Sequence, residues 1–237
     1  MPIEEGDVDH DLLPYMRSLM QHRSRLSFVI AGSRRLKEDF WQLVFNAGEN
    51  MELAALNRRD TERLIREPVQ PLVRYDELAV EHIWRATKGH PYLTQLICHR
   101  LIQDTDQEGG RQKMITVDQV HRVLIYILEE DDGYLIRLWS ELSVAEKQIL
   151  STLAELQGPG DEAIPFGALV PIEGDRNLED SLERLIDQGL VKRQMGHRRN
   201  SEGDILGDDA FILANGLWRR WVGNKAHLTV ANNQIMA

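Results

Sequence analysis

The chain has 237 residues, 42% hydrophobic and 28% charged, with a formal charge of −10 and a single cysteine. These values suit a soluble protein of one large or two ordinary domains, and exclude a disulfide framework, a Cys-rich zinc site and a surface that attracts nucleic acid or anionic lipid as a whole. No stretch approaches the roughly 20 apolar residues of a membrane helix, and the acidic opening, Met1 to Asp7, is unlike a signal peptide, so a cytoplasmic location is expected.

Residues 1–12 carry Glu4, Glu5, Asp7, Asp9 and Asp11 without periodicity, which predicts a loose end. A short helix is expected over "LLPYMRSLMQHR", with Leu12, Met16, Leu19 and Met20 inward. The run Leu26 to Ala31, bounded by charges and by Gly-Ser, has the look of a buried central strand ending in a loop, although its length leaves a buried helical segment open. "LKEDFWQLVFNAG" resumes a helix or a half-ordered turn.

From there helices dominate. "NRRDTERLIREPV" offers Asp60 or Thr61 as a cap, and Pro68 forces its end. "YDELAVEHIWRATKG" places Leu78, Val80 and Ile83 inward and stops at Gly89, a candidate left-handed C-cap. Pro91 suits the first turn of the next helix, whose stripe Leu93, Leu96, Ile97 and Leu101 runs to about Gln103. "DTDQEGGRQK" is a polar hinge, after which Thr116 caps a helix through Glu129.

A second unit begins near Gly133. Ser143 and Glu146 stand at capping-box spacing before Ile149, Leu150, Leu153 and Leu156. After a loop with a short helix, "NLEDSLERLIDQG" forms an amphipathic helix on Leu178, Leu182, Leu185 and Ile186. "LVKRQM" and "AFILA" make two strands across a long polar turn, before "NGLWRRWV" and a polar tail. Three helices, strand, turn and strand is the order of a winged helix.

Candidate chemistry is sparse. None of the 17 glycines precedes a Lys, so the phosphate loop of a nucleotide hydrolase is absent. "VLIYILEE" could be a strand carrying a metal-binding acid, but Thr116 and the spacing of Val120, Leu124, Ile127 and Leu128 favour a helix. Cys98 fits a packed core thiol better than a nucleophile beside His99, and "EEGDVDHD" lacks calcium-loop spacing. "GHRRNS", after Lys192 and Arg193, could touch DNA phosphate, yet a solvated wing is the simpler reading. Arg34 and Arg35 follow the expected strand, where α/β folds commonly bind phosphate.

The segments "LLPYMRSLMQHRSRLSFVIAGSRRL", "TERLIREPVQP" and "RATKGHPYLTQLICHRLI" resemble the second half of the AAA-like, STAND-class P-loop ATPases of bacteria, over residues 10 to about 222. The resemblance implies a mainly α (α+β) fold. Residues 1–50 would be a remnant of the α/β nucleotide-binding core, 51–132 a helical lid, 133–225 a winged helix and 226–237 the tail. It implies an ATP/ADP-dependent switch with attached effector or sensor domains. Gly89 and Pro91 match the Gly-x-Pro signature of the lid, whose proline packs near the adenine. Ser33 and Arg34, or Arg35 in the adjacent register, fall where the family places its γ-phosphate sensor. The family's phosphate loop and Mg²⁺-binding acidic strand lie upstream of Met1, so a truncation, an internal start or a split gene is expected, with the missing half or a self-associated copy as partner. Hydrolysis of ATP by this chain alone is not expected, and residues 1–50 should be marginal in isolation or rescued by dimerisation. The alternative is a winged-helix transcription regulator with an N-terminal sensing or dimerisation domain. Against it, Arg184 stands alone among Glu179, Asp180, Glu183 and Asp187 in the third helix, so nucleic acid is not an expected partner.

Overall fold

The protein is seen in a computed structural model that describes residues 12–23, 25–32, 51, 53–106, 113–129, 133–158, 161–170, 175–195, 198–199, 205–206 and 209–235. Among them the fold is mainly helical with a few small sheets. The chain divides into two compact units, Met1–Ala54 and Ala55–Ala237.

In the first unit α1 spans Leu12–His22, with Met16, Leu19 and Met20 half-buried as the stripe requires. The expected strand over Leu26 to Ala31 is not formed. Those residues are neither helix nor strand, and Val29 is 96% exposed. A central strand persists by pairing along its edges, and no second strand stands among the described residues of this unit to supply a ladder. The segment "LKEDFWQLVFNAG" lies outside the described residues.

The second unit begins with helices. α2 (Arg58–Arg66) is capped by Asn57, whose side chain accepts from the Asp60 N–H; the cap lies three residues before the expected Asp60. Pro68 sits in the 3-10 turn Glu67–Val69 that ends it. α3 (Glu77–Thr87) is capped by Asp76, and α4 runs Pro91–Asp106. α5 spans Val117–Glu129, so "VLIYILE" is helical; the helix buries Val120, Val123, Leu124 and Ile127. Thr116 precedes it, its N–H donating to Gln119 Oε1 at 2.9 Å. Two short strands, β1 (Val73–Tyr75) and β2 (Lys113–Ile115), pair in parallel across α3 and α4. Arg66 ties α2 to that pair by donating to the Tyr75 carbonyl.

α6 (Gly133–Ser140) leads into α7 (Val144–Gln157), whose N-terminus carries the full Ser143–Glu146 capping box. β3 (Ile164–Pro165), α8 (Asp175–Asp187), β4 (Val191–Met195), the small pair β5 (Arg198–Arg199) and β6 (Ile205–Leu206), and β7 (Asp209–Leu213) follow. β7 lies between β3 and β4, antiparallel to both, with Phe211 opposite Ile164 on one side and Arg193 on the other. β5 and β6 pair in the turn between β4 and β7, within the segment expected as a winged helix, the winged-helix part of this unit.

α9 (Gly216–Ile235) closes the described chain and carries through residues 226–235 of the polar tail. Leu217, Trp218, Trp221 and Val222 on α9 join one continuous core that includes Ile83 and Ile97 of the first helices and Leu150 and Leu182 of the winged-helix part. Each such fully buried aliphatic side chain contributes about 1.5–3 kcal/mol of transfer free energy. Periodicity misplaced two residues: Leu78 (62% exposed) and Leu156 (50% exposed) face solvent.

Candidate functional site

The helix joint Lys88–Gly89–His90–Pro91 is the most tightly specified local feature. Lys88 takes the left-handed conformation (φ 47°) and its N–H donates to the Trp84 carbonyl at 2.7 Å, so the reversal begins one residue before the expected glycine. Gly89 follows at φ 81° and is buried. A Cβ there would lie 2.0 Å from the Leu56 carbonyl oxygen, because the strand-like segment before α2 crosses directly over it. The Leu56 N–H donates to the Gly89 carbonyl at 2.9 Å. Only glycine meets both demands, a positive φ and a backbone in van der Waals contact.

His90 acts as the N-cap of α4. Its Nδ1 accepts from the Leu93 N–H at 3.4 Å, which leaves Nε2 as the protonated nitrogen, 3.2 Å from the Tyr134 hydroxyl of α6. Burial holds the imidazole below its ordinary pKa. The Thr94 hydroxyl donates to the His90 carbonyl at 2.9 Å, and the buried Thr87 hydroxyl donates to the Ile83 carbonyl. Pro91 takes the first position of α4 and is exposed, next to Tyr92, whose ring packs 4.4 Å from that of Tyr134. Gly89 therefore touches protein and Pro91 solvent, so of the two signature residues only Pro91 is available to a ligand.

Ser33, Arg34 and Arg35 lie outside the described residues. Cys98 is half-buried beside Tyr75, and burial raises its thiol to about 11, which suits packing and not nucleophilic chemistry. No group of three or more His, Cys, Asp or Glu among the described residues is placed to hold a metal ion. No helix there is long and apolar enough to cross a membrane.

The joint is tied to the winged-helix part by two contacts that the linear sequence does not announce. Lys88 Nζ stands 2.7 Å from Asp161 Oδ2, in the loop before β3, and Arg219 of α9 approaches the same carboxylate at 3.5 Å. The hydrogen bond from Lys88 is the main cause holding the Asp161 carboxyl below its usual range. Gly216, at the start of α9, lies so near α3 that a Cβ would come 3.0 Å from the Arg85 carbonyl oxygen. Residues 73 and 131 sequence positions apart are thereby joined, a spacing that periodicity cannot reveal.

In the third helix of the winged-helix part, α8, the half-exposed Arg184 is engaged with its neighbours: its Nε donates to Glu146 Oε1 at 3.1 Å and its Nη2 to the Ser181 hydroxyl. Burial pushes the Glu146 carboxyl up, but the Ser143 N–H and hydroxyl and then Arg184 outweigh that and leave its pKa lowered. Glu183 pairs with Arg193 of β4, whose guanidinium also covers the Phe211 ring. Comparison with protein-family models and with curated proteins finds no significant match to this chain.

Proposed function

We propose that residues 51–235 are the lid and winged-helix half of a STAND-type nucleotide switch, a cytoplasmic module that senses adenine nucleotide without hydrolysing it. The observation that carries this reading is the tie between the Gly89–Pro91 joint and the winged-helix part through Lys88 and Asp161. A ring that packs on Pro91 and Tyr92 would act on a joint whose preceding residue is bonded to the second half, so occupancy of one would be felt by the other. Pro91 and Tyr92 supply an adenine side only. Phosphates and Mg²⁺ would need a Gly-rich loop with its Lys, which this sequence does not contain, and an acid-bearing strand beside it, so a second polypeptide segment must contribute them.

The pairing of Arg184 with Glu146 and the acids on the same helix disfavour a DNA-reading winged helix, whose third helix needs exposed, unpaired cations. The test is an amide-shift titration of the full chain with ADP and ATP. Millimolar nucleotide should shift the amides from Gly89 to Leu93 and then those near Asp161. Silence at the joint, or sub-micromolar affinity of the chain alone, overturns the reading. Salt-dependent binding of duplex DNA would instead support a transcription regulator.

A further inference from the structure

The seam between the helical part and the winged-helix part of the second unit holds a half-open cavity of about 210 Å³. Lys88, Lys192 and Arg219 bring three cations to its wall and Asp161 one acid, which leaves a formal +2 in a chain of formal charge −10. Asp161 occupies these cations unequally: it sits 2.7 Å from Lys88 and 3.5 Å from Arg219, while Lys192 has no acidic partner among the described residues. The Asp161 side chain is 58% exposed and can turn to solvent, whereas Arg219 is only 11% exposed and is fixed in place. Asn215, which caps α9 by accepting from the Trp218 N–H, also lines the cavity, so the positive end of a 20-residue helix faces it.

We propose that this cavity binds a small phosphate-class oxyanion between Lys88, Lys192 and Arg219, with Asp161 as the intrinsic competitor that leaves when the anion enters. The charge suits a dianion. The volume is below the roughly 300 Å³ at which pockets begin to enclose drug-sized ligands, so orthophosphate or the terminal phosphoryl group of a longer molecule fits and a whole nucleotide does not. Entry of the anion frees Asp161 from Lys88 and so loosens the loop before β3 from the end of α3. The inference stands on the cavity's own charges and does not rest on adenine packing at Pro91.

The experiment titrates the full chain with orthophosphate at constant ionic strength, by calorimetry and by amide shifts, with chloride as the control. Phosphate should bind at one site and shift amides around Lys88, Asp161, Lys192 and Arg219. Asp161→Asn removes the competitor and should tighten phosphate binding by about tenfold, whereas Lys192→Gln should weaken it by about fivefold, the scale of one charge-assisted contact. ADP as a second probe separates the sources: if the anion is carried by a larger molecule, ADP shifts the same residues and Lys192→Gln weakens it too. No phosphate binding by either wild type or Asp161→Asn overturns the site, as does binding that Lys192→Gln leaves unchanged. Failure of ADP to perturb Gly89–Leu93 bears on the adenine reading alone, because the anion site is read at Lys192 and Arg219, which that reading does not use.

Discussion

At Gly89 two demands coincide that occur separately elsewhere in the chain. Gly158 and Gly189 also have positive φ, at 55° and 69°, but a Cβ on either meets nothing within 4 Å. Gly189→Ala should therefore cost only the conformational penalty of about 1 kcal/mol. Gly89→Ala adds a clash with the Leu56 carbonyl and breaks the Leu56–Gly89 hydrogen bond, and should cost about 2–4 kcal/mol. Urea midpoints of the two variants check this; equal losses would remove the close-approach argument. The glycine was legible as punctuation because Gly-x-Pro stands between two helical patterns. Its contact with Leu56 was not, because nothing local to residues 55–57 says where that backbone passes. Lys88 was also missed as the first left-handed residue, a position where a side chain bearing a Cβ is uncommon.

Helix caps divide in the same way. The Ser143–Glu146 box of α7 is a four-residue pattern and could be found from spacing alone, down to both reciprocal hydrogen bonds. The His90 cap of α4 could not, since His is an ordinary residue at that position and becomes a cap only because Tyr134 fixes its ring. That cap carries a pH dependence. Burial lowers the folded-state pKa of His90 below the unfolded value of about 6.5, so between the two the unfolded chain binds more protons. Stability from this group is fully present above about pH 6.5 and is lost as pH falls through the lowered folded pKa. Protonation also converts Nδ1 from acceptor to donor and removes the cap. His90→Asn, a residue that caps without titrating, should retain most of the stability at pH 7.5 and flatten the loss on acidification. Thermal midpoints from pH 7.5 down to pH 5 measure it, and an unchanged pH slope would show that His90 is not the responsible group. The short strands β1 and β2 were invisible for a different reason: three residues each are too few for alternation to register, and Lys113–Ile115 follows a polar stretch that looks like a hinge. The expected strand at Leu26 to Ala31 erred in the opposite sense, because an apolar run specifies burial but not a pairing partner.

Across the second unit, the mainly helical fold, the order of its longer helices and the strands β4 and β7 followed from periodicity, while the continuity of its core did not. Trp218 and Trp221 stack 5.4 Å apart on α9 with Trp139 of α6 edge-on to both, and they sit where the core of the helical part meets that of the winged-helix part. Trp218→Ala should cost about 3–5 kcal/mol and should weaken both parts together. Hydrogen exchange in α3 and α4 and in α7 and α8 would lose protection in parallel; loss confined to residues 144–213 would mean that the parts unfold separately. The parallel pair β1–β2 has its own consequence for synthesis on the ribosome. Val73 pairs with Lys113 and Tyr75 with Ile115, so 40 positions separate each residue from its partner. α3 and α4, which lie between them, can dock as soon as both have emerged. Val73 and Tyr75 remain without a ladder until residue 115 is outside the tunnel, and a nascent chain paused before that point presents one apolar strand edge to whatever is nearby.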